Sequence, residues 1–200
     1  MYTTKEKIIT YSLDLFSKKG FTSVSIRDIC KKVKIKASTL YYYFLNKQAL
    51  FDEIIHNFVI NKDDILHSNI CLPINVLNNP KETIKNNIIT FYKCYFSDEK
   101  SNKVIRLLQI EQFNDPKIKN LYIDIMFQTP LSIISTIIRN YTEIDDSIKI
   151  DINKISNEIY SNTFLMVQKW LFTGELTDEN IFVFLRYLDK VINVALSDIK

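Results

Sequence analysis

Apolar residues recur at helical spacing along most of this chain, and the pattern is sharpest in residues 25–44. The first half of that stretch has four apolar residues at i, i+3, i+4 and i+7: Ile26, Ile29, Cys30 and Val33. This spacing predicts a short helix with one buried face. Ser25, followed three residues later by Asp28, is a helix start signal that varies the capping box.

The second half of the stretch predicts another short helix after a tight turn. Four of its residues are assigned to the core side: Ala37, Leu40, Tyr41 and Phe44. Four others are left pointing outward: Ser38, Thr39, Tyr42 and Tyr43. Two short helices with basic flanks and an exposed row of hydroxyls are typical of a helix-turn-helix that enters a DNA major groove.

Helices are predicted for the rest of the chain as well. Only two glycines and four prolines occur in 200 residues, which favours long helices over strands and turns. We expect about nine helices, with capping residues before five of them: Thr3, Ser25, Asn46, Asn79 and Thr177. Irregular segments are expected at Cys71–Asn79 and Asp145–Asp151, an end at Gly174, and a kink at Pro130.

Charge separates the first quarter of the chain from the remainder. Residues 1–50 contain ten basic and three acidic side chains, a net charge of +7, whereas residues 51–200 carry −4 of the total of +3. A basic segment on an acidic body suits a DNA-docking domain on a separate core. A solvated basic surface without a partner is the alternative.

Catalytic and metal-binding patterns are not evident. Three cysteines at distant positions argue against a disulfide framework, and the two histidines, His56 and His67, have no cluster of other ligands beside them. We therefore expect no enzyme, no metal and no cofactor, with Glu111, Asp115 and Asp124 at helix ends or on solvent faces. Since no signal segment or membrane-length apolar run is seen, a cytoplasmic location without membrane association is expected.

The first quarter resembles the DNA-binding domain of the TetR family of transcriptional regulators. The resemblance rests on Gly20–Phe21, Ser25–Ile29, Thr39–Phe44 and Asn46–Lys47, with consistent spacing throughout. It implies an all-α fold in which residues 1–46 form a three-helix helix-turn-helix domain. Residues 47–200 would form a helical domain for effector binding and dimerisation.

Three residues depart from the family pattern. Lys34 stands where a turn glycine is common, Lys36 where a serine usually caps the recognition helix, and Ser38 where a glycine is frequent. Lys34 must adopt a left-handed conformation at some cost, or the turn is built differently. The missing hydroxyl cap at Lys36 costs about 1 kcal/mol. Two added cations beside the groove would offset this cost on DNA.

By the same resemblance, the candidate DNA contacts are nine residues: Ser25, Arg27, Lys36, Ala37, Ser38, Thr39, Tyr42, Tyr43 and Lys47. Arg27 has a fork that suits guanine edges, and Ser25 would position a phosphate. Ser38 and Thr39 would reach base edges or thymine methyls, and the two tyrosines would donate to phosphates. Partial core packing is the alternative for Tyr42 and Tyr43.

The C-terminal body is rich in aromatic and soft side chains, which the resemblance assigns to an effector cavity. Eight residues are candidates: Phe91, Tyr95, Phe113, Tyr122, Met126, Phe127, Phe164 and Gln168. Such walls suit a small hydrophobic or amphipathic effector, although ordinary core packing is the alternative for each residue. The last two helices are the expected face of a homodimer that spans two DNA half-sites.

A dimeric, ligand-responsive repressor of a palindromic operator is thus the leading interpretation. An architectural or cell-cycle DNA-binding protein of the same fold, without an effector, remains an alternative. More remote ones are an all-helical enzyme and a helical interaction protein with acidic partners.

Overall fold

The computed structural model describes residues 3–67, 79–142, 151–172 and 176–197. These residues form nine helices and no strand. The first four helices are α1 (Thr4–Lys19), α2 (Ile26–Val33), α3 (Ala37–Tyr43) and α4 (Lys47–His67). The next two are α5 (Pro80–Tyr92), which ends in a π-helical turn (Lys93–Ser97), and α6 (Glu99–Glu111).

Two of the remaining helices also contain a π-helical turn. Helix α7 consists of Pro116–Ile123, the π turn Asp124–Gln128 and Thr129–Thr142. Helix α8 consists of Ile152–Met166 and the π turn Val167–Phe172. The last helix, α9, is Asp178–Ala195. The predicted all-helical class is confirmed. The expected irregular segment at residues 71–78, most of that at 145–151, and the predicted end at Gly174 lie outside the described residues.

Helix starts follow the predicted capping residues. Thr3 and Ser25 each form a complete capping box, with Glu6 and Asp28 respectively. The side-chain oxygens of three further caps accept a backbone N–H from the first turn: Asn46 from Ala49, Asn79 from Glu82, and Thr177 from Asn180. Local sequence therefore determines where these five helices begin.

Residue contacts divide the chain into two compact units. The first unit comprises Met1–Lys62 and Lys103–Tyr122, and the second comprises Asp63–Asn102 and Ile123–Lys200. The helix-turn-helix thus shares its unit with much of α4, most of α6 and the start of α7. The distant segment 103–122 could not be assigned to it from local patterns.

Three phenylalanine rings organise the core of the first unit. The ring of Phe21 lies 5.5 Å from that of Phe16 and 4.9 Å from that of Phe51, measured between centroids. The same unit buries further apolar side chains of α1 to α4 and of the segments that join them: Ile8, Leu13, Val24, Ile29, Leu40, Phe44, Leu50 and Ile54. The rings join the segment after α1 to α1 and α4, so they fix the frame on which α2 and α3 are mounted.

Gly20 ends α1 with a backbone conformation that requires glycine. Its N–H donates to the Phe16 carbonyl, and its φ and ψ are 79° and 159°. The φ is positive, but this ψ lies outside the left-handed helical region. The pair of angles falls in a region that is essentially restricted to glycine.

The second unit has an aromatic core built largely from α5. Phe91, Tyr92, Tyr95 and Phe96 are all buried, and each ring lies within 6.1 Å of at least two of the others. The Tyr92 hydroxyl is hydrogen bonded to that of Thr163, and burial raises the pKa of Tyr92 well above its ordinary value. These contacts tie α5 to α8.

A kink was predicted at Pro130 in α7. The structure has a π turn, Asp124–Gln128, shortly before this proline. The Thr129 N–H donates to the Asp124 carbonyl, so the Ile125 carbonyl lacks the N–H that a regular helix would supply. Pro130 has no N–H for the Met126 carbonyl. The buried hydroxyls of Tyr95 and Tyr160 donate to these two carbonyls, so side chains from α5 and α8 replace the missing backbone bonds.

One stretch of α7, Pro116–Asn140, is long and apolar enough to cross a membrane by length and composition. This differs from the expectation that no such stretch exists. Core helices pass the same test, and four isoleucines of the stretch are buried within the second unit: Ile133, Ile134, Ile137 and Ile138. The burial accounts for the composition without a membrane.

Candidate nucleic-acid interface

The N-terminal end of α2 is held by reciprocal bonds between Ser25 and Asp28. The Ser25 Oγ accepts the Asp28 N–H at 3.2 Å and donates to Asp28 Oδ2 at 2.6 Å, while the Ser25 N–H donates to the same oxygen at 2.9 Å. The hydroxyl and then the backbone bond hold the pKa of this carboxyl below its ordinary value. Ser25 would have to release Asp28 to donate to a phosphate.

The turn between α2 and α3 places two lysines in solvent. Lys34 adopts the left-handed conformation, with φ 62° and ψ 48°, which decides between the two predicted possibilities. The Ile35 N–H donates to the Cys30 carbonyl at 3.0 Å and closes the turn. Lys36 precedes α3 without a side-chain capping bond, as predicted. The turn therefore keeps its shape at a cost in backbone conformation.

Helix α3 presents most of its surface to solvent. Leu40 and Phe44 are buried, whereas Ala37 and Ser38 are exposed and Thr39 is half-buried. The assignment of Ala37 and Tyr41 to the core side was wrong: Ala37 is exposed, and Tyr41 is 52% exposed. Leu40 is the buried residue of this seven-residue helix. Because so short a helix buries only a narrow face, Tyr41 lies outside that face.

The other two tyrosines of α3 form an exposed pair. Tyr42 is 81% exposed, Tyr43 is also exposed, and their ring centroids lie 4.9 Å apart in an edge-to-face arrangement. Both side chains are accessible to solvent, which disfavours the alternative that they pack partly in the core. The pair is available to donate to a nucleic-acid backbone.

Basic side chains surround this surface on α2 and the turn. Arg27, Lys31, Lys32, Lys34 and Lys36 are all exposed. Lys31 and Lys32 were not among the predicted contacts, although the four lysines in residues 31–36 are a visible signal for them. Exposed cations next to an accessible helix create the potential that attracts a polyanion.

Lys47, at the start of α4, is turned partly inward. Its Nζ donates to the carbonyls of Phe21 and Val24, both at 2.8 Å, and lies 4.2 Å from the centre of the Phe21 ring. An ammonium has three N–H groups, so one is left for a phosphate. Lys47 thus organises the segment before α2 in addition to carrying charge.

The effector candidates are divided between the two units. In the second unit, Phe91, Tyr95 and Met126 are buried, and the rings of Phe127 and Phe164 lie 5.4 Å apart. Gln168 lies in the π turn of α8, half-buried. Phe113 and Tyr122 belong to the first unit, where Tyr122 is buried and Phe113, beyond the end of α6, is 87% exposed.

Among the described residues there is no cluster of three histidine, cysteine or acidic side chains placed to hold a metal ion. Of the acids expected at helix ends or in solvent, Asp115 is exposed and its Oδ1 accepts the Lys117 N–H. Glu111 is at a helix end, as expected, because it is the last residue of α6, but its side chain is buried (6% exposed) and bonded within the first unit. Its partner, Phe21, is 90 residues away in sequence.

Residues 8–54 match the family described as bacterial regulatory proteins, tetR family. This segment runs from α1 into α4 and contains all nine predicted DNA contacts. This match assigns residues 8–54 to a tetR-type helix-turn-helix domain.

Individual relatives agree with this assignment. Over 53 residues the chain is 40% identical to the biofilm operon icaADBC HTH-type negative transcriptional regulator IcaR of Staphylococcus epidermidis. The stretch is 26% of this chain and 29% of the relative, so under a third of the relative's length is matched. This similarity is confined to the TetR-type helix-turn-helix.

Solved structures extend the fold similarity over nearly the whole chain. A putative TetR-family transcriptional regulator from Mesorhizobium loti has a TM-score of 0.67 at 17% identity and covers 97% of this chain and 95% of its own. Thermus thermophilus FadR, a TetR-family repressor in complex with lauroyl-CoA, has a TM-score of 0.53 at 15% identity, with 98% and 95% coverage. The TetR-like architecture of helix-turn-helix plus helical body is therefore shared.

Proposed function

We propose that this TetR-family chain is a dimeric transcriptional repressor that binds a palindromic operator and is released by a hydrophobic or amphipathic effector. The observation that carries the proposal is the accessible face of α3 beside exposed cations of α2 and the turn. A surface of this kind, in a domain 40% identical to part of a negative transcriptional regulator, suits major-groove binding.

Within this proposal the residues have distinct roles. Arg27 reads a base edge, or a phosphate, with its planar fork. Ala37, Ser38 and Thr39 contact base edges, while Tyr42 and Tyr43 donate to phosphates. Lys36, Lys47 and the Ser25 end of α2 add charge and donors along the backbone, which set the register of the domain on the duplex.

Homodimerisation is proposed through the last two helices. Exposed apolar side chains on α8 and α9 support it: Leu165, Phe182, Val183 and Val194. Two copies related by a two-fold axis would bring two helix-turn-helix domains to half-sites about 34–36 Å apart. A palindromic operator follows from that symmetry.

The effector is proposed to bind in the second unit, among the aromatic and methionine side chains of α5, α7 and α8. The lauroyl-CoA of the Thermus neighbour supports an effector with an extended apolar part. To switch nearly all molecules, the effector must prefer the released state by about 10⁴-fold. A regulator of this kind acts in the cytoplasm, where the operator is.

Selection of duplexes from a randomised pool by the full-length protein tests the proposal. We expect a palindromic site whose binding exceeds that of scrambled duplex and weakens with salt. Arg27→Ala should weaken binding to the selected duplex by about 1–3 kcal/mol if Arg27 reads a base.

Gel shifts with Lys119→Ala provide the matched control, because Lys119 is an exposed cation on α7, outside the helix-turn-helix. Equal affinity for selected and scrambled duplex would reject sequence-specific binding. Unchanged affinity of Arg27→Ala would reject the role of Arg27 alone.

A further inference from the structure

The C-terminal end of α6 is bonded to the segment that follows α1. Glu111, the last residue of α6, is 6% exposed, and its Oε1 accepts the Phe21 N–H at 2.8 Å. Its Oε2 accepts a bond from Asn114 Nδ2 at 3.1 Å. A buried carboxylate that accepts a backbone N–H fixes the distance between the two segments.

The two segments approach closely at residue 20, where the positive φ already favours glycine. A Cβ at Gly20 would lie 3.0 Å from Glu111 Oε1 and 3.2 Å from Ile110 Cγ2. Both distances are shorter than ordinary van der Waals contact. The end of α6 therefore cannot shift toward this segment without displacing it.

The segment held by Glu111 is connected to the proposed DNA-reading helices. Lys47 Nζ bonds the carbonyls of Phe21 and Val24, and Val24 is buried directly before Ser25, the cap of α2. The Phe21 N–H thus faces α6 while its carbonyl faces the start of α4. Phe21 is therefore bonded both to Glu111, at the end of α6, and to Lys47, at the start of α4.

A second contact joins α6 to α1. Lys103 Nζ lies 3.2 Å from Asp14 Oδ1, which also lies 3.4 Å from Lys18 Nζ. Lys103 precedes Glu111 by eight residues, or about 12 Å along a helix. The ion pair is partly exposed and weak by itself, but it adds a second contact between α6 and α1.

We propose that Glu111 is a positioning residue that couples the end of α6 to the orientation of α2 and α3. The role of the coupling in DNA binding rests on the proposed function. Helix α6 begins with Glu99–Asn102 in the second unit, the unit proposed to bind the effector, and ends at Glu111 in the first. The carboxylate is thereby placed to convey a displacement of α6 to the helix-turn-helix.

Three substitutions in the full-length protein test this role. Glu111→Ala removes the acceptor, Glu111→Asp withdraws it by one methylene, and Glu111→Gln keeps an oxygen at the same reach. Gln112→Ala is the control, because the Gln112 side chain bonds the Gln109 carbonyl within its own stretch of chain. Hydrogen–deuterium exchange of residues 20–34 is measured together with the dissociation constant for the selected duplex.

We expect Glu111→Ala and Glu111→Asp to accelerate exchange in residues 20–34 by about tenfold and to weaken duplex binding by a similar factor. Glu111→Gln and Gln112→Ala should stay within about twofold of wild type. This rescue by glutamine separates the acceptor role from a requirement for charge.

The inference is overturned if Glu111→Asp exchanges like Glu111→Gln, and this comparison holds even if Glu111→Ala fails to fold. It is also overturned if faster exchange leaves duplex affinity unchanged. Absence of any duplex binding by the wild type would instead reject the proposed function, while the exchange measurement would still test the contact.

Discussion

Two residues of the first unit have positive φ angles: one is a glycine packed against α6, and the other is a lysine whose side chain is in solvent. Gly20 lies in a glycine-only region against α6, so no other residue fits there. Lys34 is the only other residue with positive φ among those described, and it has a side chain in open solvent. The turn at Gly20 therefore allows close packing, whereas the turn at Lys34 carries a positive charge at the cost of a left-handed backbone conformation.

Lys34→Gly should raise stability and lower DNA affinity together. Removing the Cβ relieves the left-handed conformation, which we expect to raise the free energy of unfolding by about 1 kcal/mol. Losing one cation near the duplex should reduce the salt slope of binding by about 1. Chemical denaturation and binding isotherms at several salt concentrations measure the two effects.

Lys32→Ala is the control for this substitution, since it removes an exposed cation from α2 without a change of turn conformation. It should leave stability nearly unchanged. A Lys34→Gly protein no more stable than wild type would show that the turn is not strained, and an unchanged salt slope would place Lys34 away from the phosphates.

At the scale of elements, α7 shows how an interrupted helix is kept in a core. The π turn and Pro130 leave the carbonyls of Ile125 and Met126 without their usual backbone donors. Two buried tyrosines, one on α5 and one on α8, supply the missing hydrogen bonds. The irregularity therefore joins three helices at one point instead of weakening one of them.

Tyr95→Phe should destabilise the protein by about 1–3 kcal/mol, because the Ile125 carbonyl loses its donor in a buried site. Burial raises the pKa of Tyr95 far above its ordinary value, so the hydroxyl stays protonated and the effect should not vary between pH 6 and about 9. Urea denaturation measures it.

Tyr11→Phe, at an exposed position on α1, should change stability by less than about 0.5 kcal/mol. Equal stability of the Tyr95 and Tyr11 variants would mean that the carbonyl finds another partner, and the role assigned to Tyr95 would be wrong.

The composition of α3 leads to a prediction about the operator. Its exposed residues offer methyl groups, hydroxyls and aromatic rings, and none is an amide or a charged side chain. Side chains of this kind recognise thymine through its C5-methyl group. Replacing a contacted thymine by uracil in the selected duplex should weaken binding about fourfold per methyl group.

Uracil at a position outside the protected site is the control for the modified duplex. If no thymine within the site can be replaced by uracil with a loss of affinity, α3 reads the groove by other contacts. The protein is unmodified throughout, so its folding does not enter the comparison.

At the scale of the whole molecule, the basic charge and the aromatic core lie in different units. The net charge of +7 in residues 1–50 accompanies the helix-turn-helix, whereas the proposed effector residues with the most burial belong to the second unit. A second copy would add a second helix-turn-helix and so multiply affinity for a palindrome without new contacts to each half-site.

Phe182→Glu should shift the protein toward monomer, because Phe182 is 60% exposed on α9, the proposed dimer face. Burying a carboxylate there should raise the dimer dissociation constant by at least about thirtyfold. Analytical ultracentrifugation measures that constant, and a gel shift measures the accompanying loss of palindrome binding.

Phe113→Glu places the same change at an exposed phenylalanine of the first unit and should leave the dimer intact. A Phe182→Glu protein that sediments like wild type would exclude this face. Equal monomerisation by both variants would show a general effect of charge.

The sequence by itself determined the helices and their starts, because capping and apolar spacing act within a few residues. Thr3, Ser25, Asn46, Asn79 and Thr177 were identified in this way, and each is a cap in the structure. The same local patterns identified the basic helix-turn-helix, and its resemblance to the TetR family marked the turn as atypical.

Tertiary structure alone decided which side chains are buried or engaged across long separations. Tyr41 was expected in the core but is 52% exposed, and Glu111, expected at a helix end or in solvent, ends α6 with its side chain buried. The Lys47 ammonium donates hydrogen bonds to two backbone carbonyls. Residues 103–122 belong to the same compact unit as the helix-turn-helix. Periodicity reports a helix's own faces, but the contact of Glu111 with Phe21 spans 90 residues and depends on how the helices pack.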